Sequence, residues 1–402
     1  MTDQETTMLA EAMQRRVAKT STAFHRDLCR DIEWGDRLLC IKGPRGVGKT
    51  TILLQRIKEA FHGSPKAFYV SLDNLFFARH SLREVADWHC KNGGTHLFVD
   101  EVHHFERWQT EIKNIYDDYP DLSIAYTGSS MLRIDRAQGD LSRRQMVYRL
   151  DGLTFREFLA FEGVADFPSV GLGEILEDHA SIAESVCRSV KVLPLFRDYL
   201  RKGYYPFYKE VKKGYGFRIR EIVDEVLEKD YPAIEEVSVA TIRKTRRMLM
   251  ILAASCPQTP NMSRLYSELE TDRNQGLKML NALADAGLLR LLSTDAKKIK
   301  AMSRPDKIYC DNTNLMQALH PESDIGTARE TFFLNQLSAT HDVSYPSSGD
   351  FLVDGKHLFE VGGSGKGFRQ IKDLPDSYLA IDDTEIGFGN KIPLWLFGFL
   401  RQ

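Results

Sequence analysis

Residues 38–51 read LLCIKGPRGVGKTT, in which Gly43, Gly48, Lys49 and Thr50 satisfy the spacing G-x-x-x-x-G-K-[ST]. The apolar run at 38–41 is of strand type, and Ile52, Leu53, Leu54 and Ile57 begin an apolar-periodic helix. Strand, glycine loop and helix in that order make a phosphate cradle. Backbone N–H groups of Gly46, Val47, Gly48 and Lys49 wrap an anion only where the loop turns tightly, which glycine permits. The following helix adds the positive end of its dipole. Gly43, Pro44, Arg45, Gly46, Val47, Gly48, Lys49, Thr50 and Thr51 are therefore the expected nucleotide-binding residues. Lys49 is expected to reach the β- and γ-phosphates, and the Thr50 hydroxyl to hold Mg²⁺. Without nucleotide, Lys49 is expected to be an exposed cation with no packing role.

About fifty residues on, His96-Leu97-Phe98-Val99-Asp100-Glu101 is an apolar strand that ends in two acids. Asp100 is the expected second holder of Mg²⁺, opposite Thr50. Glu101 is the expected base that orients and polarises an attacking water. A further strand at 123–126 leads into Thr127-Gly128-Ser129-Ser130. Thr127 and Ser129 are candidates to sense the γ-phosphate or the water; Ser129 or Ser130 as a helix N-cap is the plainer alternative. Arg143 and Arg144 precede a fifth strand at 146–150 and are candidates to offset charge in the transition state, within one subunit or from a neighbour. Arg149, inside that strand, reads better as a structural ion pair. His103 and His104 lack a helical ligand spacing such as H-E-x-x-H and read as surface or supporting residues. Strands alternating with helices predict an α/β fold with a mostly parallel sheet and helices on both faces.

The chain of 402 residues is long enough for two or three domains. A formal net charge of -2 excludes a polybasic nucleic-acid binder as a whole, so any such surface is local. Six scattered cysteines without a C-x-x-C pair form neither a zinc pattern nor a disulfide framework. The polar start MTDQETTMLAEAMQRR has no apolar signal region. Together these point to a cytoplasmic protein with no membrane partner. Residues 5–34 read as an N-terminal helix.

The segments RGVGKTT, LFVDEVHHFERW, IAYTGSS and YRLDGLTFREFL follow one another as in a widespread prokaryotic group of predicted AAA+ ATPases, which the chain resembles over nearly its whole length. That group carries a further restriction-endonuclease-like domain of uncertain role at the C-terminus. The resemblance implies ATP rather than GTP, which the P-loop alone does not encode. No N/T-K-x-D guanine-reading motif is present.

After the ATPase domain at 1–153, residues 154–237 read as a helical lid or linker. Residues 238–320 read as a winged helix-turn-helix, with helices at 241–255, 262–270 and 273–286 and strands at 288–292 and 307–310. Its third helix offers Arg273, Asn274, Lys278 and Asn281, and its wing tip Lys297, Lys298, Lys300 and Arg304, to DNA. Docking to a protein is the alternative. In residues 321–402, a helix from Gly326 and strands on either side of Asp354-Gly355 place Glu330, Asp350 and Glu360 as in PD-(D/E)xK nucleases, whose acids hold Mg²⁺. The lysine expected two residues after Glu360 is replaced by Gly362, and Lys366 is the nearest substitute. This predicts a degenerate domain without cleavage. The expected function is an Mg²⁺-dependent ATP-hydrolysing switch. A nucleotide-gated nuclease and a non-hydrolysing ATP-binding regulator, working through protein partners or as a homo-oligomer, are the alternatives.

Overall fold

Five apolar segments of residues 38–149 become the strands of one sheet in a computed structural model of the chain. The structure describes every residue except 1, 129–140, 142, 212, 233–236, 256–260, 295–304, 368–370, 372–373 and 402. The strands are β1 (Leu38–Lys42), β2 (Ala67–Ser71), β3 (His96–Asp100), β4 (Ser123–Gly128) and β5 (Met146–Arg149). Their order is β2-β3-β4-β1-β5, and every pair is parallel. β4 thus lies between the strand that feeds the glycine loop and the strand that ends in Asp100.

Alternation along the strands sends Leu38, Cys40, Phe68, Val70, Leu97, Val99, Ile124 and Tyr126 into one core. Leu82 and Val85 of helix Leu82–Lys91, and Ile112 and Ile115 of helix Trp108–Asp118, pack there with Leu9. Trp108 is buried against the Tyr126 ring. Residues 5–34 do not form one helix. Helix α1 spans Asp3–Lys19, opened by a Thr2–Glu5 capping box, and ends at an extended Thr20. A short helix, Leu28–Asp31, follows. The run Thr20-Ser21-Thr22 explains the break, because hydroxyl side chains compete for backbone hydrogen bonds.

The chain divides into two compact units, residues 1–151 and 152–402. In the second unit, helices Val239–Ser255, Met262–Glu268 and Arg273–Asp285 precede an antiparallel pair, β6 (Leu289–Leu292) and β7 (Lys307–Cys310). Asp272 caps the third of these helices, accepting from the N–H groups of Asn274 and Gln275. Helix Ile325–Leu337 leads to a second sheet of five strands: β8 (Val343–Ser344), β9 (Phe351–Val353), β10 (His357–Gly362), β11 (Ser377–Ile381) and β12 (Lys391–Pro393). β8, β9 and β10 are antiparallel neighbours, and β11 and β12 add in parallel. Asp354 and Gly355 both have positive φ, as the hairpin turn between β9 and β10 requires.

One core holds Phe155, Phe158, Phe196 and Tyr199 together with Tyr309, Phe332, Phe333, Phe351, Phe359, Trp395 and Phe397. The C-terminal stretch Leu394–Phe399 is a buried 3-10 helix that seals it. No helix among the described residues is long and apolar enough to cross a membrane.

Candidate active site

β1 delivers the glycine loop to the first turn of helix α2, Lys49–Phe61. Gly46 and Gly48 take φ of 80° and 102°, a region that other residues enter at a cost. Gly43 is fixed for another reason: a Cβ there would lie 2.0 Å from the Leu150 carbonyl oxygen. Arg26, itself buried, braces the loop from below. Its guanidinium donates to the Val47 carbonyl at 2.8 Å and the Asp151 carbonyl at 2.9 Å. Pro44 and Val47 are buried, and Thr51 is exposed on the first helical turn.

Lys49 is not the exposed cation the sequence suggests. It is 4% exposed, and its Nζ donates to the Gly43 and Pro44 carbonyls, both at 2.8 Å. The ammonium group is thus folded onto the glycine loop.

Asp100 faces Thr50 directly. Its Oδ2 accepts from the Thr50 hydroxyl at 2.7 Å and from the Tyr69 hydroxyl at 2.8 Å, and its Oδ1 accepts from the Thr127 hydroxyl. The Thr50 hydroxyl, while it donates its hydrogen bond to Asp100, keeps lone pairs for a hard cation, and Asp100 supplies the charge. The donor set fits Mg²⁺. Thr127, at the tip of the intervening strand β4, also accepts from the Glu101 N–H at 3.2 Å. It therefore ties the two acids to each other. Ser129 and Ser130 lie outside the described residues.

Glu101 adopts φ 53°, ψ 44°, the left-handed region, which a non-glycine residue enters only when its surroundings require it. Its half-buried carboxylate reaches His103 Nε2 at 3.3 Å. The same nitrogen lies 3.1 Å from Arg45 of the glycine loop. His103 is buried with its Nε2 between the Arg45 guanidinium and the Glu101 carboxylate, and one nitrogen serves only one of them at a time: unprotonated it accepts from Arg45, protonated it donates to Glu101. Glu101, His103 and His104 also bring potential ligand atoms within 4.8 Å of one another. The Arg45 guanidinium at His103 Nε2 disfavours a cation there.

Arg144 pairs with Asp117 at 3.2 Å, and Arg149 with Asp151 at 3.0 Å. Arg143 is exposed. Tyr69, Arg26 and Arg16 were not foreseen, since no local pattern marks them. Arg16 Nη1 donates to the Tyr69 hydroxyl at 3.0 Å. Burial, and then the charge of Asp100, push the Tyr69 phenol far above its ordinary pKa, so it remains a donor.

In the second unit the four expected residues do come together. Lys366 Nζ lies 2.8 Å from Glu360 Oε1. The Lys366 side chain also fills the space that a side chain at Gly362 would take, its Cβ, Cγ and Cδ all 2.8 Å from the position of a Cβ there. Asp350 accepts from the Val361 N–H at 2.9 Å. Two residues that the sequence did not point to join them from β7. Lys307 lies 3.4 Å from Glu330 and 3.6 Å from Asp350, and Tyr309 donates to Glu330 at 2.7 Å. Burial, and then the charge of Asp350, raise the Glu330 pKa. Partial burial lowers that of Lys366, but its bond to Glu360 and the surrounding carboxylates raise it more, so this lysine stays charged and is a poor base.

Residues 35–159 match the AAA domain family, and residues 193–326 match a domain of unknown function. An uncharacterized protein of Methanocaldococcus jannaschii is 26% identical over 287 residues, which cover 67% of this chain and 60% of that protein. The chain thus spans less than two thirds of the length of that curated relative. Among solved structures, the Walker-type ATPase of Pyrococcus abyssi aligns with 75% of this chain and 97% of its own at 13% identity and a TM-score of 0.42. The Orc1 protein of Aeropyrum pernix, solved in complex with DNA, aligns with 78% and 92% at 15% identity and a TM-score of 0.31. At these scores neither bears on what this chain does. Neither family match names a winged helix or a nuclease. Residues 35–159 carry an AAA-type P-loop domain on a parallel sheet.

Proposed function

We propose that this AAA-type domain makes the chain an Mg²⁺-dependent ATP-binding and ATP-hydrolysing switch. The observation that carries the reading is the Thr50–Asp100 pair, set 2.7 Å apart at the mouth of the glycine loop. Mg²⁺ bound there would offset phosphate charge. The chain's own residues do the rest. Lys49 would exchange the Gly43 and Pro44 carbonyls for phosphate oxygens, the loop N–H groups would hold the same phosphates, and Glu101 would orient the water and take its proton. The choice of ATP rests on the resemblance to AAA+ ATPases. The test is nucleotide binding and turnover by the purified protein, alone and with single-stranded DNA, duplex DNA or RNA. Absence of both binding and turnover overturns the reading. Tight binding with negligible turnover supports the non-hydrolysing regulator instead.

Arg143, exposed and next to the paired Arg144, is the better candidate to meet a γ-phosphate, on its own or a neighbouring subunit. Arg143→Ala is expected to lower turnover more than ATP affinity, because the charge it meets develops only in the transition state. If it acts in trans, Arg143→Ala/Arg144→Ala protein mixed with Glu101→Gln protein should regain activity. No recovery, with light scattering showing a monomer, would place the arginine in cis or remove it from catalysis.

For residues 239–310, three helices followed by an antiparallel pair support a winged helix, with Arg273, Asn274 and Lys278 exposed and Asn281 half-buried on the third helix. The wing-tip residues Lys297, Lys298, Lys300 and Arg304 lie outside the described residues. Replacing all four with alanine is expected to weaken binding to every duplex about equally and to flatten its salt dependence. Duplex titrations at low and moderate salt decide this; no wild-type affinity at low salt would leave the segment a protein-docking element.

The placement of Lys366 over Gly362 favours a second reading of residues 321–402, a nuclease-like site whose lysine comes from a later loop position. Charged and salt-bridged, Lys366 could steady a phosphate better than activate water. We retain the degenerate, non-cleaving form. Metal-dependent cleavage of DNA or RNA that disappears in Asp350→Ala would reverse that choice and support the nucleotide-gated nuclease.

A further inference from the structure

The Asp100 carboxylate, 2% exposed, takes hydroxyl donors from three directions. Thr50 and Thr127 come from segments that the ATPase reading already uses. Tyr69 does not. It lies in β2, paired in register with Phe98 of β3, and its hydroxyl reaches Asp100 two residues further along that strand. The same hydroxyl accepts from Arg16 at 3.0 Å, and the guanidinium lies 5.7 Å from the ring centroid. Arg16 is in the last turn of α1, where a cation also suits the helix dipole. Met13 of the same helix accepts the Tyr69 N–H through its sulfur at 3.2 Å. Helix α1 therefore grips Tyr69 at its backbone and at its hydroxyl.

We infer that Tyr69 and Arg16 are positioning residues for metal binding, a hydroxyl relay through which α1 sets the orientation of Asp100. This rests on the ATPase reading. A phenol that receives a hydrogen bond from a guanidinium is a stronger donor, since chains of hydrogen bonds polarise one another. Two donors on Oδ2 fix the plane of the carboxylate. With a cation on the Thr50 oxygen, Tyr69 and Thr127 would hold the acid in place beside it. Residues that orient a metal's ligands commonly matter for affinity almost as much as the ligands do.

The test is the Mg²⁺ requirement at saturating ATP of wild type, Tyr69→Phe and Arg16→Met, measured both by turnover and by nucleotide binding. Tyr69→Phe keeps the ring and loses only the hydroxyl. It is expected to raise half-saturating Mg²⁺ roughly tenfold, with kcat recovered at high Mg²⁺. Arg16→Met should move the requirement the same way by about two- to fivefold, less because Arg16 is exposed and its charge is screened. Arg16→Lys should restore part of the loss. A purely structural role for Tyr69 would lower thermal stability and kcat while leaving the Mg²⁺ requirement unmoved. An unmoved requirement in Tyr69→Phe, in a wild type that does need Mg²⁺, overturns the inference alone. A wild type whose ATP binding and turnover ignore Mg²⁺ overturns the ATPase reading and the inference together.

Discussion

Glu101→Gln is expected to bind ATP and Mg²⁺ about as wild type does and to hydrolyse at least ~100-fold more slowly, the usual reach of a lost general base. Glutamine has nearly the shape of glutamate, so the left-handed backbone at 101 and the Thr127 bond to its N–H should persist. What disappears is a carboxylate able to take a proton, and with it the charge facing His103. Single-turnover hydrolysis beside a nucleotide-binding titration separates the two effects. Near-normal turnover would move the water-orienting role to another residue, with Ser129 the next candidate.

Lys49→Ala is expected to abolish measurable ATP binding, and the structure adds a cost that the motif alone does not suggest. Because Nζ holds the Gly43 and Pro44 carbonyls, alanine leaves both without that donor. A stability loss of about 1–3 kcal/mol follows unless water replaces the ammonium group. A thermal melt with and without ATP reads both outcomes. Wild type should gain stability with ATP by ligand linkage, and the variant should melt lower and not respond. An unchanged ATP-induced shift in Lys49→Ala would refute the role of the loop.

Much of the first unit was legible because its chemistry is local. Gly43 to Thr50 is one unbroken motif, and Asp100-Glu101 ends an apolar strand; both signals survive without knowledge of their partners. Arg26, Tyr69 and Arg16 were invisible for the converse reason. Arg26 acts on Val47 and Asp151, 21 and 125 positions away, and Tyr69 on Asp100, 31 positions away. An arginine or tyrosine in a helix or strand has many bland uses, and only tertiary packing selects one. The N-terminal helix was overextended because apolar spacing continued past a hydroxyl-rich break. In the second unit the acids were legible from the elements that carry or adjoin them, Glu330 on a helix, Asp350 just before a strand and Glu360 within one. The lysine from β7 was not, since it reaches them from a different part of the chain.

The aromatic core of residues 152–402 also bears on inheritance. Phe155 and Tyr199 from its beginning pack with Phe332 and Trp395 from its end, and Tyr309 lies between them in sequence. Segments that share a core in this way cannot be shuffled among proteins like beads on a string. A chain cut after residue 320 would expose Phe155, Phe196 and Tyr199 to water and lose the cooperative unit rather than one module of it. Lineages that keep the early helices are expected to keep the final sheet with them, whether or not its acids retain any chemistry.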